Sequence, residues 1–226
     1  KKSRDSVRRH YESLLKSEGV QKAIAGSVVL LEEGIWSLKD RLDALDEIDI
    51  SVLENISLKL FDNMHHICIF IQGNIGMDES LRVSRMLQSL GICKSNYNAN
   101  KFQITRPSSY LMQKGKSYVY EDKDVLNGAT NTIFYYIQIG SREDAFTRTI
   151  AKFSAHILSI FAATELRTKR KLGYLVYSGC KLFRTTTGIF ITISSGSYDP
   201  HYLNSQIENF LYDLELLLIR YSEENF

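Results

Sequence analysis

The chain has 226 residues, with 28 Lys and Arg against 26 Asp and Glu, and 44% of its residues are hydrophobic. That length allows one large domain or two small ones and a substantial core. A net charge of +2 implies neither a nucleic-acid partner nor a membrane surface. Cys68, Cys93 and Cys180 are widely spaced without a C-x-x-C pair, which reads as reduced thiols in a cytoplasmic or otherwise reducing compartment rather than a disulfide framework. The apolar runs at Ile67–Ile71 and Leu214–Ile219 are too short to span a bilayer. The chain starts Lys-Lys and stops just after a helical pattern, so it is expected to be a piece of something longer. Its apolar faces, such as Leu203–Leu218, are then expected to need the rest of that protein for full burial.

Residues 4–47 carry a helical period through Val7, Tyr11, Leu14, Ile35, Leu38, Leu42 and Leu45, with breaks or close packing expected at Gly19, Gly26 and Gly34. Ser51-Val-Leu-Glu54 has the form of a capping box and predicts a helix to about Asp62. Met64–Gln72 predicts a buried strand ended by Gly73-Asn74, and a helix follows from about Asp78 to Leu90. The Asn-rich stretch from Gly91 to Lys101, with Pro107 beyond it, predicts a linker and a domain boundary.

Strands are predicted at Lys116–Glu121 and Thr132–Ile139, the second apolar on both faces and so expected at the centre of its sheet. Ser141 is expected to cap the next helix, whose apolar stripe is Phe146, Ile150, Phe153, Ile157 and Phe161. Lys171–Ser178 and Ile189–Ser195 predict a strand pair joined through Arg184–Gly188. Asp199-Pro200 then opens a last helix striped by Leu203, Ile207, Phe210, Leu214 and Leu217. The order predicts an α+β fold, a largely antiparallel sheet with helices packed on it.

The stretch Glu165–Gly179 holds the site candidates. Its helical half carries Arg167, Lys169, Arg170 and Lys171, and its strand half begins around Gly173 and Tyr174. A helix end running straight into a strand puts Arg167 and Tyr174 on the rim of a sheet. Read from composition alone, these are cations favoured by a helix C-terminus and a packed sheet tyrosine. No other chemistry competes. His65 and His66 point to opposite faces of a strand, and His10, His156 and His201 lack H-x-x-x-H or H-x-x-E-H spacing. Cys180 has no evident base, and neither a G-x-S-x-G elbow nor a Gly-rich phosphate loop is present.

Leu166-Arg-Thr-Lys-Arg-Lys-Leu-Gly-Tyr-Leu-Val-Tyr-Ser-Gly179 resembles the L-R-T-K-x-x-L-G-Y-x-V-x-S-G signature of insulysin-like, pitrilysin-type zinc metallopeptidases. Tyr135–Gly140 resembles that family's Y-Y-Q-I-G strand with one residue inserted. Asp199–Leu211 resembles its P-x-Y-L-E-x-R-I-E-x-F-L segment, Gln72-Gly-Asn-Ile75 its Q-G-N-I strand end, and Trp36–Leu45 a helix of the preceding domain.

The resemblance implies parts of two related α/β domains from the C-terminal, non-catalytic half of a clam-like chamber. Residues 1–92 would be the back part of the third domain, 93–107 a linker and 108–226 the front part of the fourth. It implies zinc in the complete protein, held by an H-x-x-E-H helix outside this chain, with none bound by this segment. The implied partners are a peptide substrate and the N-terminal catalytic half, with no nucleic acid and no membrane span, and oligomerisation left open. Arg167 and Tyr174 are implied as substrate-binding residues, Tyr174 also as the catalytic group that stabilises the oxyanion.

One departure stands out: where the family has Q-I-I-S-E-P-x-F-N, this chain has His156–Thr164, with Ile160-Phe161 for Glu-Pro and Ala163 for phenylalanine. A catalytically inactive family member that binds peptides is the alternative of a different class. A distant one is an RNA-binding module, from the likeness of Lys171–Tyr177 to an RNA-binding strand.

Overall fold

The computed structural model describes residues 2–62, 69–89, 107–122 and 130–220. In chain order these form helices α1 (Lys2–Leu15), α2 (Gly19–Leu31), α3 (Leu38–Glu47), α4 (Ile50–Asp62) and α5 (Met77–Ser89), then strand β1 (Asn131–Ser141) and helix α6 (Ala145–Ala162). A π-helical turn (Ala163–Lys169), β2 (Leu175–Leu182), β3 (Thr186–Ser195) and α7 (Pro200–Ile219) complete it. This is the α+β class that the element order predicts.

The chain divides into two compact units, Lys1–Leu42 with Pro107–Phe226, and Asp43–Arg106. The first unit therefore draws α1 and α2 together with the sheet. The linker expected at 93–107 lies outside the described residues except for Pro107.

Within the first unit the sheet is antiparallel in the order β1-β3-β2. β3 is the central strand, not β1 as its sequence suggests. β1 is apolar on both faces because each face is covered. Ile133 and Tyr135 pack on the main core, while α2 contacts the strand and Gly19 lies against Thr132 on the opposite face.

Side chains alternate across a strand, so Ile191 and Ile193 of β3 point to the helices. There they join Leu158 and Ala162 of α6, Leu166, Leu172, and Leu203, Ile207 and Phe210 of α7 in one buried cluster. On the other face Phe190 stacks on Phe134, with ring centroids 5.1 Å apart, and meets Tyr177 edge-on at 5.4 Å.

Several expectations are corrected here. α6 buries Ala151, Ala155, Leu158 and Ala162, while Phe146, Ile150 and Phe153 of the expected stripe are exposed. Small residues let α6 lie close against the sheet, and the bulky ones turn outward. The α6 N-cap is Asp144, whose carboxylate accepts from the Thr147 amide at 2.8 Å. Ser141 instead accepts from the Glu143 amide at 3.1 Å, on the way from β1 to the helix.

The last stripe residue of α7, Leu217, is exposed, whereas Leu203, Ile207 and Phe210 are buried as expected. Asp199 caps α7 by accepting from the Tyr202 amide at 3.0 Å, with Pro200 in the first turn. β2 starts at Leu175 rather than Lys171, because Leu172 is drawn into the core first. Residues 116–121, expected as a strand, join no ladder. Gly26 sits inside α2 and breaks nothing, while α1 and α2 separate before Gly19 and Gly34 adopts φ +71° beyond α2.

Two more corrections concern helix starts. α4 is capped by Asp49, which accepts from the Val52 amide at 2.8 Å, not by Ser51. A reciprocal box does exist one helix earlier. The Asp40 amide donates to Ser37 Oγ at 3.1 Å, and the Ser37 amide donates to Asp40 Oδ2 at 3.2 Å. In the second unit, the strand expected at Met64–Gln72 falls largely on residues 63–68, outside the described residues; 69–72 joins no ladder.

Candidate functional site

The sequence departure before the signature has a local consequence. With no proline after Ile160, α6 runs without a break into the π-helical turn Ala163–Lys169. The wider turn buries Leu166 fully and leaves Arg167 exposed. The chain is then turned by Lys171 in the left-handed region at φ 53°. The Leu172 amide donates back to the Leu166 carbonyl at 3.0 Å, and the Arg170 amide to the Glu165 carbonyl at 2.8 Å. This is a left-handed helix cap widened to suit a π turn. Its result is a corner with Leu166 and Leu172 pinned in the core, and Arg167 and Lys171 outside.

The four cations of this corner do different things. Lys169 pairs with Glu165 one turn back. Arg170 is not a solvated charge: it donates to the Gln206 carbonyl and to Gln206 Oε1, both at 3.2 Å, and pairs with Asp213 Oδ2 at 2.8 Å. It fastens the corner to α7. Arg167 and Lys171 have no ion-pair partner among the described residues.

Gly173 is required by close approach. A Cβ there would come closer than 3.0 Å to the Ser194 carbonyl oxygen and 3.1 Å from Ile193 Cγ2. Tyr174 follows, 57% exposed, so most of its ring faces outward. Its hydroxyl oxygen accepts from Ser194 Oγ at 3.3 Å. Ser194 is itself 1% exposed and accepts from Thr132 Oγ1, also at 3.3 Å. This hydroxyl chain runs from β1 through β3 to the residue that precedes β2. It occupies a lone pair of the Tyr174 oxygen and does not use the phenol proton.

The structure thus brings Arg167 and Tyr174 to the exposed entry of β2, from either side of the Lys171 turn. Sequence reasoning missed Ser194 and Thr132, since hydroxyls on strands carry no signal until the register is known. It also missed that Arg170 is bound.

Two other tyrosines differ. Burial pushes the Tyr136 phenol up to about 12, against weaker pulls from Thr186 and Gln138, and its hydroxyl has no well-formed hydrogen bond. Tyr135 is raised by burial and then by Glu208. Neither is poised to ionise near neutrality.

No three His, Cys, Asp or Glu side chains come together as a metal site among the described residues. His156 is exposed on α6, and His201 meets Glu121 at 3.3 Å on the surface. Cys180 Sγ lies 3.7 Å from Thr187 Oγ1. His65, His66, Cys68 and Cys93 lie outside the described residues. No helix among the described residues is long and apolar enough to cross a membrane.

The described residues thus form a layered α+β segment with Arg167 and Tyr174 at one rim of its sheet. The family described as PQQ synthase PqqF-like, C-terminal lobe domain 4, matches residues 153–226, which include both residues. The chain is 27% identical to the protein named "Putative protease AXL1" of Saccharomyces cerevisiae, covering all of this chain and 19% of that protein. It is 28% identical to the insulin-degrading enzyme of Drosophila melanogaster over 92% of this chain and 21% of that protein. It is 26% identical to the human insulin-degrading enzyme over 88% and 19%. The chain spans about a fifth of the length of these relatives. These matches make the chain similar to the C-terminal part of insulysin-like proteins of the pitrilysin type.

Proposed function

We propose that this chain forms part of the wall of a closed peptidase chamber and presents Arg167 and Tyr174 to a peptide cleaved there. In this reading the complete protein is a zinc metalloendopeptidase whose metal is held by its N-terminal half. Residues 1–92 belong to its third domain and residues 108–226 to its fourth. The observation that carries the reading is the exposed Tyr174 hydroxyl, which accepts from buried Ser194 and keeps its own proton available to donate. Such a phenol suits an oxygen that becomes negative as a peptide carbonyl turns tetrahedral. Arg167, without an ion pair among the described residues, offers a planar fork of N–H donors to a neighbouring backbone carbonyl. Both roles need a substrate brought to the corner and a hydrolytic centre opposite it. The peptidase names of the relatives favour this reading over an RNA-binding module.

Peptide hydrolysis by the full-length protein tests it. Arg167→Ala is expected to raise KM and lower kcat together, because a carbonyl held in both ground and transition states loses its donor. Lys169→Ala, which removes only the exposed pair with Glu165 one turn back, is expected to change neither by more than about twofold. Equal effects of the two substitutions would reduce Arg167 to a surface cation. An H-x-x-E-H motif missing from the N-terminal half would instead leave an inactive, peptide-binding relative.

A further inference from the structure

We infer that the outer edge of β2 is a docking strand for an extended, acid-containing stretch of peptide. The inference rests on the proposal that peptides reach this corner, and it names how they are held. In the antiparallel pair β2–β3, Leu175 faces Ser194 and Leu182 faces Thr187. The hairpin is closed by the Phe183 amide donating to the Thr186 carbonyl at 2.9 Å. Residues 183 and 186 therefore form a hydrogen-bonded pair. In an antiparallel ladder such pairs recur at every second residue, so Lys181, Gly179, Tyr177 and Leu175 also direct their backbone groups inward to β3. Val176, Ser178, Cys180 and Leu182 direct theirs outward.

Among the described residues no strand pairs with that edge. Natural sheets blunt open edges with bulges, prolines or charges that point along the edge. β1, the opposite edge strand, has such a device, a register shift between Gln138 and Gly140. β2 keeps an unbroken register over all eight residues and contains no proline. Its edge carries no bulge, and it begins one residue after Tyr174. A peptide whose carbonyl is held by Tyr174 has only to continue along β2 to exchange backbone hydrogen bonds with it. Strand addition of this kind gives affinity through the main chain and selectivity through alternate side chains.

The flanking side chains name the peptide. Arg167 and Lys171 stand at one end of the edge without ion-pair partners among the described residues. Lys181 is near the other end, its Nζ 5.5 Å from the centroid of the Phe183 ring and without an ion pair among the described residues. Tyr177, 57% exposed, offers a ring between them. An extended peptide with acidic residues meets opposite charge at both ends.

The test is binding, so that it reads independently of turnover. A fluorescent peptide of about eight residues, matching the length of β2, with Asp near each end, is titrated into the full-length protein. N-methylation at successive peptide residues is expected to weaken binding with a period of two, by roughly 3- to 10-fold at the sensitive positions. Cys180→Pro removes one outward N–H without touching the β3 ladder. It is expected to weaken the parent peptide by a similar factor and to abolish the penalty of the one N-methyl group opposite it, while Cys180→Ala behaves as wild type. Replacing the two Asp by Lys is expected to weaken binding, most strongly at low salt.

If Cys180→Pro does not fold, a diazirine-bearing version of the same peptide is cross-linked to the wild-type protein, with adducts expected within residues 175–182. Three results overturn the proposal: no alternation in the N-methyl series, an unchanged series in Cys180→Pro, or cross-links elsewhere. Pairing of two β2 edges into a dimer that excludes the peptide, seen by sedimentation, overturns it as well. Tyr174→Phe acting on turnover while these binding results fail would sink the edge alone and leave the corner's role intact.

Discussion

Gly173→Ala adds one methyl group where β2 meets the central strand. The new Cβ would lie closer than 3.0 Å to the Ser194 carbonyl oxygen, 3.0 Å from its carbon and 3.1 Å from Ile193 Cγ2. The two Ser194 atoms are backbone of β3, held by ladders on both sides, so they cannot swing away as the end of a flexible side chain would. Forcing a methyl into a packed site of this kind costs about 1–3 kcal/mol. The strain falls on the Ser194 segment that orients Tyr174. Amide hydrogen exchange of residues 186–195 in the full-length protein reads it directly, since opening of a local unit sets the exchange rate. One to three kcal/mol corresponds to exchange faster by roughly 5- to 150-fold. Gly26→Ala is the control: it has no atom within 4 Å of its added Cβ and lies inside α2, so it is expected to slow exchange of α2 slightly. Unchanged exchange in β3 of Gly173→Ala would refute the close approach.

Leu166→Ala empties a fully buried site under the π-helical turn and is expected to cost about 2–5 kcal/mol, read as local exchange of residues 163–172. Asp199 is held below its ordinary value of 3.8 first by the Tyr202 amide, so its capping contribution is present above pH 3.8 and fades as pH falls through its lowered value. The difference in α7 exchange between wild type and Asp199→Ala should therefore shrink below about pH 3.8; a constant difference down to pH 2 would deny the ionised cap. Tyr136, raised from 10.0 to about 12 by burial, contributes stability below pH 10 that is lost as pH rises towards 12, because the unfolded phenol ionises first. Tyr136→Phe should flatten the alkaline unfolding profile over that window and cost little at neutral pH, its hydroxyl having no good partner to lose.

Much of this was legible in the sequence where the local chemistry is self-contained. Asp199-Pro200 announced α7, the run Ile189–Ser195 announced the larger part of β3, and the switch from helix to strand within Glu165–Gly179 announced the corner that carries Arg167 and Tyr174. What was not legible depends on what covers what. The aromatic stripe of α6 outweighs its alanines in any hydrophobic count, yet the alanines face the sheet because only small side chains allow α6 so close. β1 looks like a central strand because α2, more than a hundred residues earlier, covers its second face. Ser194 and Thr132 are ordinary strand hydroxyls until the register sets one opposite the other. Arg170 reads as one more surface cation until α7 brings Asp213 and Gln206 to it.

Tyr174→Phe in the full-length protein tests the central claim most directly. The substitution removes only the hydroxyl of a ring that is more than half exposed, and Ser194 keeps its bond with Thr132, so the sheet is expected to stay intact. Loss of one oxyanion donor costs about 2.7–4 kcal/mol in the transition state. The predicted result is a fall in kcat of roughly 10²- to 10³-fold on a peptide substrate, with KM nearly unchanged and β3 exchange as in wild type. Wild-type turnover by Tyr174→Phe, or a loss confined to KM, would contradict the role assigned to this tyrosine.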